Sequence, residues 1–173
     1  MFQVNDYVVY GKYSVCKVVD ICTPPFDGVD KTIKYYMLKP MSEKGSTIYT
    51  PVENNKVSMR NIMTKEEAME LIDKFPEMEM ISVENEKSRE LCYRNSLLKG
   101  DCEELFKMIK TLFIRREERL ASGKKMSTTD EKYLRQAEDS LFEELSFAFG
   151  WSKEKVKDYF IQKVKKLGDF SYL

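Results

Sequence analysis

Histidine is absent from the 173 residues. That excludes Ser-His-Asp and Cys-His nucleophilic machinery and removes the commonest ligand of zinc and non-haem iron. Cysteine is sparse: the four, Cys16, Cys22, Cys92 and Cys102, include no C-x-x-C pair, the close spacing that metal clusters and redox motifs use. Four buried or half-buried reduced thiols are expected in a reducing compartment. The seven glycines are scattered at turns and form no Gly-rich phosphate loop. Adjacent carboxylates such as Glu66-Glu67 and Glu143-Glu144 diverge by about 100° on a helix and make no catalytic pair. No apolar run approaches a bilayer-spanning length of about 18 residues, and Met1-Phe2-Gln3-Val4-Asn5-Asp6 does not read as a signal peptide. The expectation is a soluble cytoplasmic protein that is not an enzyme, with no cofactor, no metal, no small-molecule substrate and no membrane partner.

What is present is a globular composition, 42% hydrophobic and 34% charged, long enough for one ordinary domain or two small ones. Two hydrophobic periods divide it. Residues 1 to about 60 read as strands: Val4 and Asp6 to Tyr10, then Val15, Cys16, Val18, Val19 and Ile21, then a breaker cluster Pro24-Pro25-Phe26-Asp27-Gly28. Ile33, Tyr35 and Met37 alternate with Lys34, Tyr36 and Leu38, and a turn with Pro40 and Gly45 leads to Ser46-Thr47-Ile48-Tyr49-Thr50, closed by Pro51. Short strands about ten residues apart predict a small antiparallel barrel, with one edge left open for a partner.

From Thr64 the period becomes helical. Thr64 with Glu67 fits a capping box, with Met69, Leu71, Ile72 and Phe75 apolar until Pro76. A second helix is predicted from about Glu84 to Leu98, ending at Gly100, and a third from Asp101, with Leu105, Met108, Ile109, Leu112 and Phe113 inward. Thr128 with Glu131 opens a fourth that runs to Gly150, and Ser152 caps a fifth. Trp151 then falls at N′ and Val156 at N4, the spacing of a hydrophobic staple. The fold class is therefore α+β with two domains, residues 1–62 and 63–173, the second all-α with about five helices.

Charge is balanced overall, 29 basic against 29 acidic, and in both parts: 8 against 6 in the first 60 residues, 21 against 23 in the rest. A stand-alone, tight nucleic-acid binder is normally more basic. Two local basic faces can still be drawn. The second helix offers Lys87, Arg89, Arg94 and Lys99; the third and its exit offer Arg115, Arg116, Arg119, Lys124 and Lys125, with Lys132 beyond. Both are interrupted by Glu86, Glu90, Glu117 and Glu118, so the plain reading is solvated surface laced with i,i+4 pairs. The tyrosines Tyr7, Tyr10, Tyr13, Tyr35, Tyr36 and Tyr49 either cover a strand face or line an aromatic cage for a cationic ligand.

The opening Phe2 to Tyr10, the Tyr35-Tyr36-Met37-Leu38-Lys39-Pro40 strand and Ile48-Tyr49-Thr50-Pro51-Val52-Glu53-Asn54 resemble the CarD/CdnL family of bacterial transcription regulators. Arg60, Leu97-Leu98-Lys99-Gly100-Asp101, Arg115-Arg116-Glu117-Glu118-Arg119-Leu120 and the helix from Ala137 to Leu145 continue the likeness, over about residues 1–150. The resemblance implies a Tudor-like β domain that binds the RNA polymerase β subunit. It also implies a helical domain that touches promoter DNA at the upstream edge of the −10 region, weakly and with polymerase, and stabilises the open complex. An open barrel edge would take a polymerase strand by β-augmentation, and Thr47, Ile48, Tyr49 and Thr50 are the candidates, with Pro24. Family members commonly carry arginines at the positions of Pro24 and Tyr49, which implies a less ionic, more apolar contact here. The family's glycine after the first strand is Ser14. Many members insert a tryptophan into the minor groove from the start of the second helix, where this chain has Glu86 and Lys87. The expected DNA contacts are Lys87, Arg89, Arg94, Lys99, Arg115, Arg116 and Lys132. A monomer is expected, with exchange of a strand or helix between two chains as the alternative. The rival functions are an adaptor that never engages DNA and an aromatic-cage reader of a modified side chain.

Overall fold

The computed structural model describes residues 1–28, 30–43, 45–54, 56–83 and 85–168. Five strands, β1 (Tyr7–Tyr10), β2 (Val15–Cys22), β3 (Tyr35–Pro40), β4 (Ile48–Pro51) and β5 (Met59–Asn61), form one antiparallel sheet ordered β4-β3-β2-β1-β5. Period-two alternation selects its inner face. Tyr36, Leu38 and Pro40 are buried while Lys39 between them is exposed. They close over Val8, Tyr10, Cys16 and Val18 in a small apolar cluster. A register shift in β2 between Val18 and Asp20 interrupts the pairing with β3.

The predicted barrel does not close. β4 and β5 remain the two edges of an open sheet. β5 is only three residues long and leads at once toward the helices. Beyond β1 its central residue, Arg60, reaches Gly100 and Glu144 rather than β4. Between β1 and β2 a 3-10 turn spans Gly11–Tyr13, followed by Ser14 at φ +52°, a conformation that favours glycine.

The helices are α1 (Lys65–Lys74), α2 (Arg89–Lys99), α3 (Cys102–Ala121), α4 (Thr128–Phe149) and α5 (Lys153–Leu167). The predicted caps of α1, α3 and α5 form: Thr64 and Glu67 make a reciprocal capping box, Asp101 accepts from the Glu104 amide, and Ser152 accepts from the Lys155 amide. Gly100 and Gly150 end α2 and α4 in the left-handed conformation.

Two starts differ from expectation. α4 is capped by Ser127, whose hydroxyl accepts from the Asp130 amide, one residue before Thr128. α2 begins at Arg89 rather than near Glu84, which itself lies outside the described residues. The reason is a local turn in which the Asn85 side chain accepts from the Ser88 amide at 2.9 Å, competing with helix formation there.

The larger core belongs to the helices. Phe160 meets Phe75, Phe106 and Phe142 at ring separations of 5.1, 5.8 and 5.6 Å, with Leu141 and Leu145 fully buried around them. Trp151 is half-buried against this core, 5.0 Å from the Phe149 ring, while Val156 is fully buried, as the staple position requires.

Candidate functional site

The sheet edge at β4 pairs with β3 alone, in a register that sets Tyr49 opposite Met37 and Thr50 opposite Tyr36. Alternation turns Thr50 inward, where it is 2% exposed, and leaves Tyr49 on the other face. Tyr49 meets Phe26 edge-on at 5.1 Å, and its hydroxyl donates to the Met37 sulfur at 3.3 Å. Phe26 itself is 55% exposed. Of the five predicted edge residues, Thr47 is exposed, Ile48 and Tyr49 are half-buried, and Pro24 and Thr50 are buried. Side-chain contact from this edge therefore falls to Thr47, Ile48 and Tyr49. Phe26 was missed, although a bulky apolar residue inside a Pro/Gly breaker cluster is a signal for exposure.

At the opposite edge, β5 commits its central side chain to the helices. Arg60 donates to both oxygens of Glu144, at 2.6 and 2.8 Å, and to the Gly100 carbonyl at 3.0 and 2.7 Å. Glu144 also accepts from the Met63 amide at 3.0 Å and the Cys102 thiol at 2.8 Å. Burial alone would lower the Arg60 guanidinium, but the hydrogen bond and charge of Glu144 override it and hold the proton more firmly. Its helix neighbour Glu143 accepts from the Val15 amide at 3.3 Å, and Ser14 donates to the Ser140 carbonyl at 3.0 Å. Burial pushes the Glu143 carboxyl up. Burial, then the charge of Glu143, pushes the Cys16 thiol up to about 12, and burial, then the charge of Glu144, raises Cys102 as well. All four thiols are free, two buried and two half-buried. The divergence of Glu143 and Glu144 is what lets one turn of α4 grip the β region at two places. Sequence reading saw the divergence but not its use.

The predicted cations separate into groups. Arg89 and Arg115 converge on Asp130, which is 1% exposed: Arg89 Nε lies 3.0 Å from one carboxylate oxygen and Arg115 Nε 3.8 Å from the other, close in charge but without hydrogen-bond alignment. Glu86 pairs with both arginines from outside. This cluster fastens the start of α2 to α3 and α4. Lys99 lies 3.6 Å from Glu104, and Arg116 lies 3.3 Å from Glu117 and over the Phe113 ring. Lys87, Arg94 and Lys132 are exposed and make no ion pair among the described residues.

Arg94 and Lys132 also line an open groove of about 860 Å³ where the β region meets α2, α4 and the start of α5. The β-region tyrosines do not converge on one cage. Tyr10 stacks with Tyr13, Tyr7 packs on Phe147, and Tyr36 accepts from the Phe2 amide.

No helix among the described residues is long and apolar enough to cross a membrane. The family model described as CarD-like/TRCF RID domain matches residues 2–63, and the model described as CarD, C-terminal domain matches residues 70–160. No curated protein matches the chain.

Proposed function

The chain belongs to the CarD-like family of RNA polymerase-interacting transcription factors, and on that footing we propose that β4 docks on the polymerase β subunit. A polymerase strand extends the sheet at β4 through main-chain hydrogen bonds, and Tyr49 with Phe26 supplies the apolar side-chain contact. The observation that carries this reading is the asymmetry of the two edge strands: β5 is three residues long with its central side chain committed to Gly100 and Glu144, while β4 is unpaired on its outer side among the described residues and carries Tyr49 against exposed Phe26.

Docked there, the helical region stabilises the promoter open complex through weak contacts with DNA near the upstream edge of the −10 element. Lys87, Arg94 and Lys132 are the phosphate contacts, and Lys99 and Arg116 reach DNA by exchanging exposed or half-exposed carboxylate partners. Arg89 and Arg115 serve the same surface from beneath by fixing α2 on Asp130. Weak contacts suffice because polymerase supplies the address and a high effective concentration, which reconciles DNA contact with zero net charge.

The test is binding of the purified chain to a β-lobe fragment of its cognate polymerase, with Tyr49→Asp as the variant. A charge placed on the apolar contact is expected to weaken binding about tenfold, or about 1.4 kcal/mol. Equal binding by the variant would remove β4 as the docking edge. A chain whose affinity for polymerase ignores promoter DNA would be an adaptor.

A further inference from the structure

The groove between the two regions brings together cations that the sequence separates by more than a hundred positions. Lys12 stands on the 3-10 turn Gly11–Tyr13, Arg94 on α2 and Lys132 on α4, and all three line it. None of the three has an ion-pair partner among the described residues. Lys12 and Lys132 each rest over a neighbouring tyrosine ring, at 5.1 and 5.2 Å.

The groove's four cations, Lys153 included, outnumber its three carboxylates. Asp139 lies 3.8 Å from Lys153, Glu143 is buried against the Val15 amide, and Glu43 is exposed with no ion pair among the described residues. We propose that this groove is a phosphate-binding track that carries the promoter DNA backbone from the helical region onto the β region, with Lys12 as the β region's contact. The inference rests on the proposed function and extends its DNA surface to a domain otherwise assigned to polymerase.

The fold fixes the backbone positions from which the three cations project. A Cβ on Gly100 would lie 3.2 Å from the Gly11 carbonyl oxygen, so the Lys12 turn sits directly against the C-terminal end of α2. The Ser14 to Ser140 hydrogen bond ties the same turn to α4. The three elements need no rearrangement when a phosphodiester strand arrives, and each neutralised phosphate releases condensed counterions. The groove is open and the chain lacks a Gly-rich loop to cradle a terminal phosphate, which favours a strand running through over a small phosphorylated molecule enclosed.

The experiment measures affinity of the full chain for polymerase bound to promoter DNA, and for polymerase alone, across a range of salt. Lys12→Ala, an exposed change, is compared with Arg94→Ala and Lys132→Ala. Lys12→Ala is expected to weaken binding to the promoter complex about threefold and to lower the log–log salt slope by about 0.7–0.9. Binding to polymerase alone should be unchanged.

If Arg94→Ala and Lys132→Ala lower the slope and Lys12→Ala does not, the track ends at the helices and the inference falls while the DNA reading stands. If none of the three changes the slope, both fall. A second arm titrates the chain alone with tripolyphosphate. Saturable binding lost in Lys12→Ala, with the promoter complex unaffected, would make the groove a site for a free phosphorylated ligand and overturn the DNA assignment.

Discussion

The two edges of the sheet face opposite fates. β5, three residues long, commits its central arginine to Glu144 and the Gly100 carbonyl together. β4, four residues long, has no strand on its outer side among the described residues and carries Tyr49 against the exposed Phe26. An edge strand is a pairing hazard, and the two are managed differently: one is kept very short beside a dense polar knot, the other carries an aromatic pair. The same division runs through the charged side chains. On α2, Arg89 turns toward buried Asp130 while Arg94, five residues on and about 140° around the helix, stays free. Other charges, such as Lys99 with Glu104 and Lys163 with Asp73, pair at the surface between these two extremes.

The sharpest way to break the contrast is at the Arg60 junction beside β5. Glu144→Ala leaves Arg60 and the Met63 amide without their acceptor, and is expected to cost about 3 kcal/mol in chemical denaturation. A loss under about 1 kcal/mol would mean that apolar packing rather than this pair ties β5 to α4.

Next is the pair on α2. Arg89→Ala should destabilise by about 2 kcal/mol by stripping Asp130 of its nearest cation, whereas Arg94→Ala should stay within about 0.5 kcal/mol. Equal effects in thermal or denaturant unfolding would erase the distinction between committed and open arginines.

The smallest effect concerns Glu143, whose carboxyl burial raises above its ordinary 4.5. The folded state then holds that proton more tightly than the unfolded chain. The stabilisation is complete below pH 4.5 and is lost as pH climbs through the raised value. Glu143→Gln keeps an acceptor for the Val15 amide without the charge. Its stability advantage over the wild type should widen from pH 4.5 upward and then level off. A gap independent of pH would show that Glu143 ionises alike in both states.

What was legible in the sequence was what is decided locally. The caps at Thr64, Asp101 and Ser152 and the glycine stops at 100 and 150 depend on residues within one turn, and each forms. The start of α2 was obscured by a competing local signal, the Asn85 turn, which looks no different from helix surface in a periodicity argument. Closure of the sheet was not legible, because it hangs on whether a three-residue strand finds β4 or the helices. Arg89 and Arg115 were recognisable as cations but not as structural ones, since the carboxylate that claims Arg89 lies in another helix, 41 positions further on. Ser14 is a middle case: its +52° φ explains a glycine preference, while the hydroxyl contact to Ser140 is invisible without the fold.

The Arg60 junction has a mechanical meaning. With β4 taken as the fixed end, the chain beyond the sheet is a cantilever, and the short passage from β5 to α1 is its covalent hinge. Arg60 clamps that hinge to α4 and to the α2–α3 turn, and the Gly11–Gly100 approach blocks it from the other side. Angular wander at the anchored edge is thereby kept from growing along the arm. The helical region is thereby a ruler read from the sheet, and its length fixes how far from β4 the open cations stand.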